Sequence, residues 1–262
     1  MTRILQLTDL HVFSTPGATL KGIPTRECLE DVVGYIQANE HPFDHVVITG
    51  DHTHDEQRAS YEAVRSILTP WHECLWQVPG NHDDRLLLRQ VFPCRSEDGP
   101  GGTVNFVFPA GHWLCIGLDT HWPGEVAGVV EDQQLNWLQE ILQQASQEDV
   151  ALFMHHPPVS VGSVWMDAIG LNNRERLEEI IRADPRIRLV CCGHVHHEFQ
   201  FRLHQADIVA TPSTGIQFSP AGTSPQFADE SPGYRVIELN EHAFTTRVHR
   251  LPVIKYHPAP DA

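Results

Sequence analysis

The chain has 262 residues, of which 41% are hydrophobic, and its formal net charge is −16 at pH 7 with histidine neutral. This length allows one large domain or two small ones, and this apolar content excludes an intrinsically disordered chain. The acidic balance disfavours binding to nucleic acid or to an anionic membrane, whereas a small anion can still bind where local cations receive it.

Apolar runs and amphipathic segments alternate along the chain as far as residue 192. The predicted strands of this part are 4–7, 46–50, 74–78, 104–108, 113–118, 151–154 and 187–192, the pair 104–108 and 113–118 being antiparallel. The predicted helices are 25–39, 57–68, 84–91, 131–145 and 173–183, with Thr25 as the N-cap of the first. This alternation predicts a layered α/β domain.

The pattern changes after the strand at 187–192. Four further strands, at 198–203, 206–210, 234–239 and 243–249, follow one another without intervening helices. The turn-rich loop at 212–233 is unusually long, and loops of that length more often serve function than packing. Because no linker separates two cores, we expect one domain over residues 1–262 with mixed sheets.

The N-terminus and the cysteines favour a cytoplasmic protein without a membrane span. The first residues, MTRILQLTDLH, lack the apolar core and cleavage site of a signal peptide, and no apolar run reaches the ~18 residues of a transmembrane helix. The cysteines form no C-x-x-C pair, and we expect buried free thiols at Cys28, Cys74, Cys94, Cys115, Cys191 and Cys192. The last two adjoin a histidine cluster but end an apolar run, which favours the core over metal ligation.

Polar side chains are concentrated where five predicted strands end. They are Asp9 and His11 after the first strand, Asp51 after the second, Asn81, His82 and Asp83 after the third, His155 and His156 after 151–154, and His194 and His196 after 187–192. In open α/β sheets, ligands bind outside the carboxyl ends of the strands. We therefore expect these side chains to meet at one site.

Imidazole and carboxylate ligands without thiolate indicate a catalytic site for Fe, Mn or Zn. The ligands are too many for one ion and predict two ions about 3.5–4 Å apart that share a carboxylate. Such a pair polarises phosphoryl oxygens and generates a hydroxide nucleophile. Each motif alone is equally compatible with a structural role, and only their joint occurrence favours a metal site.

The ordered motifs D-x-H, G-D, G-N-H-D, H-x-P and G-H-x-H resemble those of the calcineurin-like metallophosphoesterase superfamily. The segments HHPP, WMDAIGLNN, CGHVH and ATPSTGIQF make the chain similar to the class III cyclic-nucleotide phosphodiesterases, the bacterial cAMP phosphodiesterase group. The resemblance spans nearly the whole chain. It implies a four-layer α/β/β/α sandwich with two mixed sheets and a binuclear metal site at the carboxyl ends of the strands.

The resemblance also implies a ligand set. The first metal would be held by Asp9, His11, Asp51 and His196, and the second by Asp51, Asn81, His155 and His194, with Asp51 bridging. His156 also fits the H-x-P pattern formally, but we expect His155 to be the ligand. Fe and Mn are the expected metals, and Zn accepts the same ligands.

The activity implied by the resemblance is hydrolysis of 3′,5′-cyclic AMP to 5′-AMP by a metal-activated hydroxide. Asp51 and His82 would be catalytic, and His82 would contact the phosphate and protonate the leaving oxygen. The small-molecule substrate would be contacted by His11, Asp51, Asn81, His82 and His196. The sequence is compatible with a monomer or with an oligomer such as a dimer.

Several polar and aromatic residues near these motifs have no settled role. His52 and His54 either line the substrate pocket, or face solvent or support the ligands. His121 is a candidate support for the ligands, and Arg85 either assists the metals or lies on the surface. His197 and His204 are expected on a strand face. Candidate nucleoside contacts are Trp165, Asn172, Asn173 and Phe218, with packing open for Trp165 and an N-cap role open for Asn172.

Other functions on this fold are weighed against the phosphodiesterase. A broader enzyme acting on glycerophosphodiesters or 2′,3′-cyclic nucleotides shares the same motifs. A protein phosphatase is disfavoured because residues 50–56, GDHTHDE, lack the DRG of that pattern. A nuclease is disfavoured by the acidic charge and by the absence of an extra DNA-facing domain. Non-catalytic scaffolds have lost part of the ligand set, which is complete here.

Overall fold

The computed structural model describes residues 1–92 and 97–259. The helices are α1 (Thr25–Asn39), α2 (Arg58–Ile67), α3 (Arg85–Val91), α4 (Asp132–Gln144), α5 (Val164–Asp167) and α6 (Arg174–Ala183). The strands are β1 (Thr2–Leu7), β2 (His45–Thr49), β3 (Leu75–Val78), β4 (Glu97–Asp98), β5 (Val104–Ala110), β6 (Trp113–Leu118), β7 (Asp149–Met154), β8 (Ile187–Cys192), β9 (Phe199–Leu203), β10 (Ala206–Ala210), β11 (Gln217–Phe218), β12 (Phe227–Ala228), β13 (Gly233–Leu239) and β14 (Phe244–Arg250).

The long elements lie where the hydrophobic patterns predict them, and the short ones were not predicted. Strands β4, β11 and β12 have two residues each, and α5 has four. Elements of this length show no periodicity in a sequence. As a result, the β11–β12 hairpin within the loop expected at 212–233 was not predicted.

Two mixed sheets form the centre of the molecule. One has the order β14-β13-β1-β2-β3, in which β1, β2 and β3 are parallel and β13 is antiparallel to β1. The other has the order β4-β5-β6-β7-β8-β10-β9, in which β6, β7, β8 and β10 are parallel. Each parallel run delivers its carboxyl ends to one edge, and this places the polar motifs there.

Three groups of buried side chains separate four layers. Helices α1, α2 and α3 pack on the outer face of the β1 sheet through residues such as Val32 and Tyr61. Helices α4 and α6 pack on the other sheet through Leu138 and Leu177. The two sheets face each other across Ile4, Val47, Phe106 and Phe153, among others. The expected α/β/β/α sandwich is therefore confirmed.

Helix α1 covers the predicted residues 25–39, but its N-cap differs from the prediction. Pro24 occupies the N-cap position, and Thr25 is the first helical residue without a capping hydrogen bond. The hydroxyl of Thr25 instead donates to the carbonyl oxygen of His11 at 2.7 Å. Pro24 therefore precedes the first helical residue, and the Thr25 hydroxyl holds the loop that follows β1.

The cysteines agree with the prediction except at one position. Cys28, Cys115, Cys191 and Cys192 are buried free thiols, whereas Cys74 is only half-buried. Cys94 lies outside the described residues. Among the helices of residues 1–92 and 97–259, none has both the length and the apolarity needed to cross a membrane.

A buried polar network links the two sheets below the site. The side chain of Gln6 on β1 donates to Thr49 Oγ1 at 2.9 Å and to the carbonyl oxygen of Cys192 at 3.0 Å. Thr211 Oγ1 donates to Gln6 Oε1 at 2.7 Å and accepts from Arg235 Nε at 2.9 Å. Because both partners of Thr211 are buried, its hydroxyl satisfies polar groups that water does not reach.

Replacing Thr211 with valine should lower the free energy of unfolding by about 1–3 kcal/mol, because it leaves buried polar groups of Gln6 and Arg235 unpaired. Denaturant unfolding measures this loss. The matched control is Thr245→Val on β14, where the threonine is exposed and the change should stay within about 0.5 kcal/mol. An equal loss in both variants would contradict a stabilising role of the network.

Candidate metal centre

The loops at the carboxyl ends of β1, β2, β7 and β8 are joined by backbone hydrogen bonds. The amide of Asp9 donates to the carbonyl oxygen of Gly50 at 3.1 Å, and the amide of His11 donates to that of Asp51 at 2.9 Å. Within the other sheet, the amide of Gly193 donates to the carbonyl oxygen of His155 at 3.0 Å. Between the sheets, the amide of His194 donates to the Asp9 carboxylate at 3.1 Å. The two sheets thus bring their motifs to one place.

Five of the candidate ligands adopt the left-handed backbone conformation, which is uncommon for residues with a side chain. Their φ angles are 53° at Asp9, 46° at His11, 53° at Asp51, 70° at His194 and 52° at His196. Such conformations cost of order 1–3 kcal/mol each and persist where the surrounding structure enforces them. The sharp turns direct the side chains back over the strand ends.

Two glycines permit the close approach of these loops. A Cβ atom at Gly80 would overlap the Asp51 carboxylate, and one at Gly193 would overlap the Thr8 hydroxyl and the Asp9 carboxylate. The glycine of G-N-H-D and that of G-H-x-H therefore make room for the two carboxylates.

Backbone carbonyl groups determine which ring nitrogen of three histidines carries the proton. His155 Nδ1 lies 2.7 Å from the carbonyl oxygen of Thr49, and His196 Nδ1 lies 2.8 Å from that of Ile216. His194 Nε2 lies 3.0 Å from the carbonyl oxygen of Ile169. Since a carbonyl oxygen only accepts, each of these nitrogens is the N–H donor, and the other nitrogen of a neutral ring is a free lone pair.

These lone pairs converge with the two carboxylates. His196 Nε2 lies 3.1 Å from His11 Nε2 and 3.2 Å from Asp9 Oδ1. Asp51 Oδ2 lies between two rings, 3.4 Å from His11 Nε2 and 3.5 Å from His155 Nε2. All four side chains of Asp9, His11, Asp51 and His196 are buried, and their ligand atoms lie within 4.8 Å of one another.

Asn81 completes a second group on the other side of Asp51. Its Oδ1 lies 3.2 Å from His155 Nε2 and 3.2 Å from His194 Nδ1. An amide oxygen facing imidazole lone pairs is an electron-rich arrangement that divalent cations stabilise. The donor set of nitrogen and oxygen atoms thus fits two ions, one on each side of Asp51.

Burial and charge act in opposite directions on the ionisable groups of the site. Burial disfavours ionisation of Asp51, but the charges of His155, His82 and His11 outweigh it and hold the pKa of this carboxyl well below its usual value. Burial lowers the pKa of His155, yet Asp51 overcomes it and raises that pKa to about 9. Burial, reinforced by His155, lowers the pKa of His194 to about 3.

The two adjacent histidines of HHPP differ in their environment. Both ring nitrogens of His156 are engaged, Nδ1 with the Thr120 hydroxyl at 2.8 Å and Nε2 with the Val126 carbonyl oxygen at 3.0 Å. The Nε2 atom of His155 instead faces Asp51 and Asn81. The contacts favour His155 as the ligand, although the rings of His155, His156 and His194 also lie close enough together to be a possible metal-binding group.

His82 lies at the open side of the site. Its backbone amide donates to Asp51 Oδ1 at 2.8 Å, and its half-buried ring lies 5.0 Å from the ring of His11 between centroids. The ring of His54 stacks on it at 4.7 Å with an interplanar angle of 23°. Burial and the neighbouring His82 lower the pKa of His54 to about 4.

Asp83 anchors the G-N-H-D loop, a role that the sequence analysis missed. Its carboxylate accepts from the amides of His52 and Gly80 and from the Tyr61 hydroxyl. The His52 ring is fully buried and joins Asp83, 3.0 Å away, to Gln77, 3.2 Å away. His52 therefore supports the loop from behind and does not line the pocket. The sequence feature that could have indicated this role is Asp83 itself, the acidic residue that ends the G-N-H-D motif.

The loop after β10 packs against the backbone of Asp9 and the ring of His196. The Ser213 hydroxyl donates to the carbonyl oxygen of Asp9 at 2.7 Å, and the carbonyl of Ile216 holds His196. The Phe218 ring stacks on the His196 ring at 4.0 Å with an interplanar angle of 8°, and Trp165 meets Phe218 edge to face at 5.4 Å. Phe218 thus supports a candidate ligand, and Trp165 packs behind it.

Arg85 and Asn173 have structural contacts, and Asn172 is exposed. Arg85 forms a bidentate pair with Asp119, at 2.7 and 3.0 Å, and also donates to the carbonyl oxygen of His121, so it is neither a free surface residue nor directed at the ligands. Asn173 occupies the N-cap position of α6, and its side chain bonds the backbone of Val130. The N-cap role considered for Asn172 is therefore wrong, and its side chain is exposed.

The remaining polar and sulfur candidates lie apart from the ligand groups. His197 bonds the carbonyl of Val195 in the loop before β9, and His204 pairs with Glu178 in the turn after β9, so neither lies on a strand face. Burial raises the pKa of the Cys191 thiol to about 12 and that of Cys192 well above its usual value. Both thiols belong to the core, as expected.

Comparisons with known proteins agree with this architecture. The family model for calcineurin-like phosphoesterase matches residues 2–198. The chain is 32% identical over 261 residues to the 3′,5′-cyclic adenosine monophosphate phosphodiesterase CpdA of Escherichia coli K12, covering 98% of this chain and 92% of that protein. It is 33% identical over 238 residues to CpdA of Pseudomonas aeruginosa, covering 91% and 85%.

Solved structures share the fold at low sequence identity. A dimetal phosphatase from Danio rerio superposes with a TM-score of 0.72 at 17% identity, covering 95% of this chain and 96% of that one. GAP50, described as the anchor in the inner membrane complex of Plasmodium, superposes with a TM-score of 0.61 at 14% identity, covering 98% and 88%. Because the family model matches residues 2–198 and the two CpdA proteins are 32% and 33% identical over most of their length, the chain belongs to the calcineurin-like phosphoesterase family.

Proposed function

We propose that the protein is a two-metal phosphodiesterase that hydrolyses 3′,5′-cyclic AMP to 5′-AMP. The observation that carries this proposal is the convergence of ring nitrogens of His11, His155, His194 and His196 on two buried carboxylates and one amide oxygen. A scaffold without catalysis has no need for such a donor set. The cyclic-nucleotide substrate rests on the names of relatives that cover nearly the whole chain.

The metal ligands would divide into two groups. Asp9, His11, Asp51 and His196 would hold one ion. Asp51, Asn81, His155 and His194 would hold the other, and the position of Asp51 Oδ2 between His11 and His155 supports a bridging role. Iron and manganese suit this donor set, and zinc accepts it as well.

Bound ions would neutralise the phosphodiester oxygens and lower the pKa of a water molecule, which supplies the nucleophile. The chain's own contribution is positioning and proton transfer. Asp51 accepts the backbone amide of His82, which places the His82 ring beside the site at its open face. In the reaction the water oxygen would form a bond to phosphorus after losing a proton to solvent. The P–O3′ bond would break with its electron pair remaining on O3′, and His82 would deliver a proton to O3′.

The net charge of −16 makes a small phosphodiester a more suitable ligand than a polyanion. Contacts to the phosphate would come from His11, Asp51, Asn81, His82 and His196. We also infer a cytoplasmic protein whose fold is one domain over residues 1–262.

The substrate is tested by comparing kcat/KM of the Mn²⁺-loaded protein on 3′,5′-cyclic AMP, 2′,3′-cyclic AMP and bis(p-nitrophenyl) phosphate. We expect the highest value for 3′,5′-cyclic AMP. Efficient cleavage of the aryl diester with poor cleavage of 3′,5′-cyclic AMP would retain a phosphodiesterase and reject this substrate. A protein that binds Mn²⁺ and cleaves none of the three would reject the enzyme.

Replacing Asn81 with alanine should lower kcat/KM by more than about 100-fold, because it removes a ligand oxygen rather than a residue behind the ligands. The fold should persist, since Asn81 lies in a loop and is not part of the core. Thermal unfolding of the metal-free protein checks the fold, and Asn39→Ala at the exposed end of α1 is the control. Unchanged turnover in the Asn81 variant would contradict the assignment of the second ion.

Metal loading should release protons in a pH-dependent manner. His155, with its pKa raised to about 9, is protonated near neutral pH in the metal-free protein, and it must lose that proton to become a ligand. Below pH 9 we therefore expect release of about one proton from this ring, and above it the release should vanish. Calorimetry of Mn²⁺ binding in buffers of different ionisation enthalpy measures the number. Binding without proton release at neutral pH would contradict ligation by His155.

A further inference from the structure

His54 occupies a position that neither the ligand set nor the comparisons account for. It follows the candidate bridging ligand by three residues and lies half-buried at the opening of the site. Its Nδ1 atom lies 3.2 Å from His11 Nδ1. One face of its ring stacks on His82, and Phe13 lies 4.8 Å away between ring centroids at an angle of 54°.

The protons of the His11 ring explain this contact. Its Nε2 atom faces Asp51 and His196 and must be unprotonated to serve as a ligand. The proton of a neutral His11 ring is then on Nδ1, which needs an acceptor. The other three imidazoles donate to backbone carbonyl oxygens, whereas the contact at His11 Nδ1 is the ring nitrogen of His54.

We propose that His54 is a positioning residue, whose Nδ1 accepts the Nδ1–H of His11 and whose ring holds His82 by stacking. This inference rests on the proposed two-metal function. The hydrogen bond fixes the tautomer and the plane of His11, so that its Nε2 lone pair faces Asp51 and His196, where the first ion would bind. The stacked ring limits rotation of His82 at the place where the phosphate would bind.

The two contacts predict separable effects. A hydrogen bond to the outer nitrogen of a ligating histidine typically contributes 10–100-fold to metal affinity or activity. Loss of the acceptor should therefore weaken metal binding. Loss of the flat ring should leave metal affinity intact and lower kcat through His82.

Two substitutions separate these roles. His54→Phe keeps a flat ring but has no acceptor, and His54→Gln keeps an acceptor oxygen but has no ring. The matched control is His41→Phe, because His41 is exposed in the loop before β2. If the phenylalanine variant unfolds, His54→Met removes the strong acceptor with a flexible side chain and serves in its place.

The primary measurement is the dissociation constant of Mn²⁺ for each metal-free variant, obtained by titration and independent of turnover. We expect one of the two sites to weaken by about 10–100-fold in His54→Phe and to remain near the wild-type value in His54→Gln and His41→Phe. The kcat for 3′,5′-cyclic AMP, measured with saturating Mn²⁺, should fall in His54→Gln with little change in KM.

Equal metal affinity in the phenylalanine and wild-type proteins would overturn the proposal, as would equal weakening in both His54 variants. A third ion per chain, lost in His54→Phe, would also overturn it, because His11, His54 and His82 would then be a metal site themselves. A wild type that binds two ions but cleaves no phosphodiester rejects only the proposed enzyme. The Mn²⁺ affinities of the wild type, His54→Phe and His54→Gln then still test the role of His54. A wild type that binds no Mn²⁺ rejects both.

Discussion

The site depends on electrostatic compensation of two buried carboxylates. Asp9 and Asp51 are removed from water, and the ion pairs that they form within the described ranges are all with imidazoles. Burying an uncompensated carboxylate is costly. At the same time, several imidazole nitrogens with their protons on the far side direct lone pairs at the same space. Positive charge placed between the carboxylates and the imidazole lone pairs stabilises both groups.

The two-sheet architecture makes this compensation possible, because no single loop could carry so many ligands. Asp9, Asp51 and Asn81 come from the strand ends of one sheet, and His155, His194 and His196 come from those of the other. The polar network through Gln6 and Thr211 ties the sheets together directly beneath these loops. The left-handed turns at the ligands are retained because backbone hydrogen bonds between the loops hold them.

Much of this was predictable from sequence because buried strands appear as apolar runs and their ends as abrupt polar motifs. The sandwich and the convergence of Asp9, Asp51 and His194 follow from that pattern. The roles of Thr25, His52, Arg85 and Asn173 did not, because each depends on a partner far away in sequence: His11, Gln77, Asp119 and Val130, respectively. A local pattern contains no information about such a partner.

For His155 and His156, the sequence pattern does not distinguish the candidate metal ligand, whereas the tertiary contacts do. Both histidines follow β7, both are fully buried, and both precede a proline in a pattern that fits a ligand. The difference lies in the atoms around them, since Thr120 and Val126 engage both nitrogens of His156 while Thr49 engages only one of His155. The same reasoning extends to His11, whose outer nitrogen meets His54 rather than a carbonyl group. The outer contact of each ring therefore determines which nitrogen remains free, and this determines which histidines are suited to bind a metal.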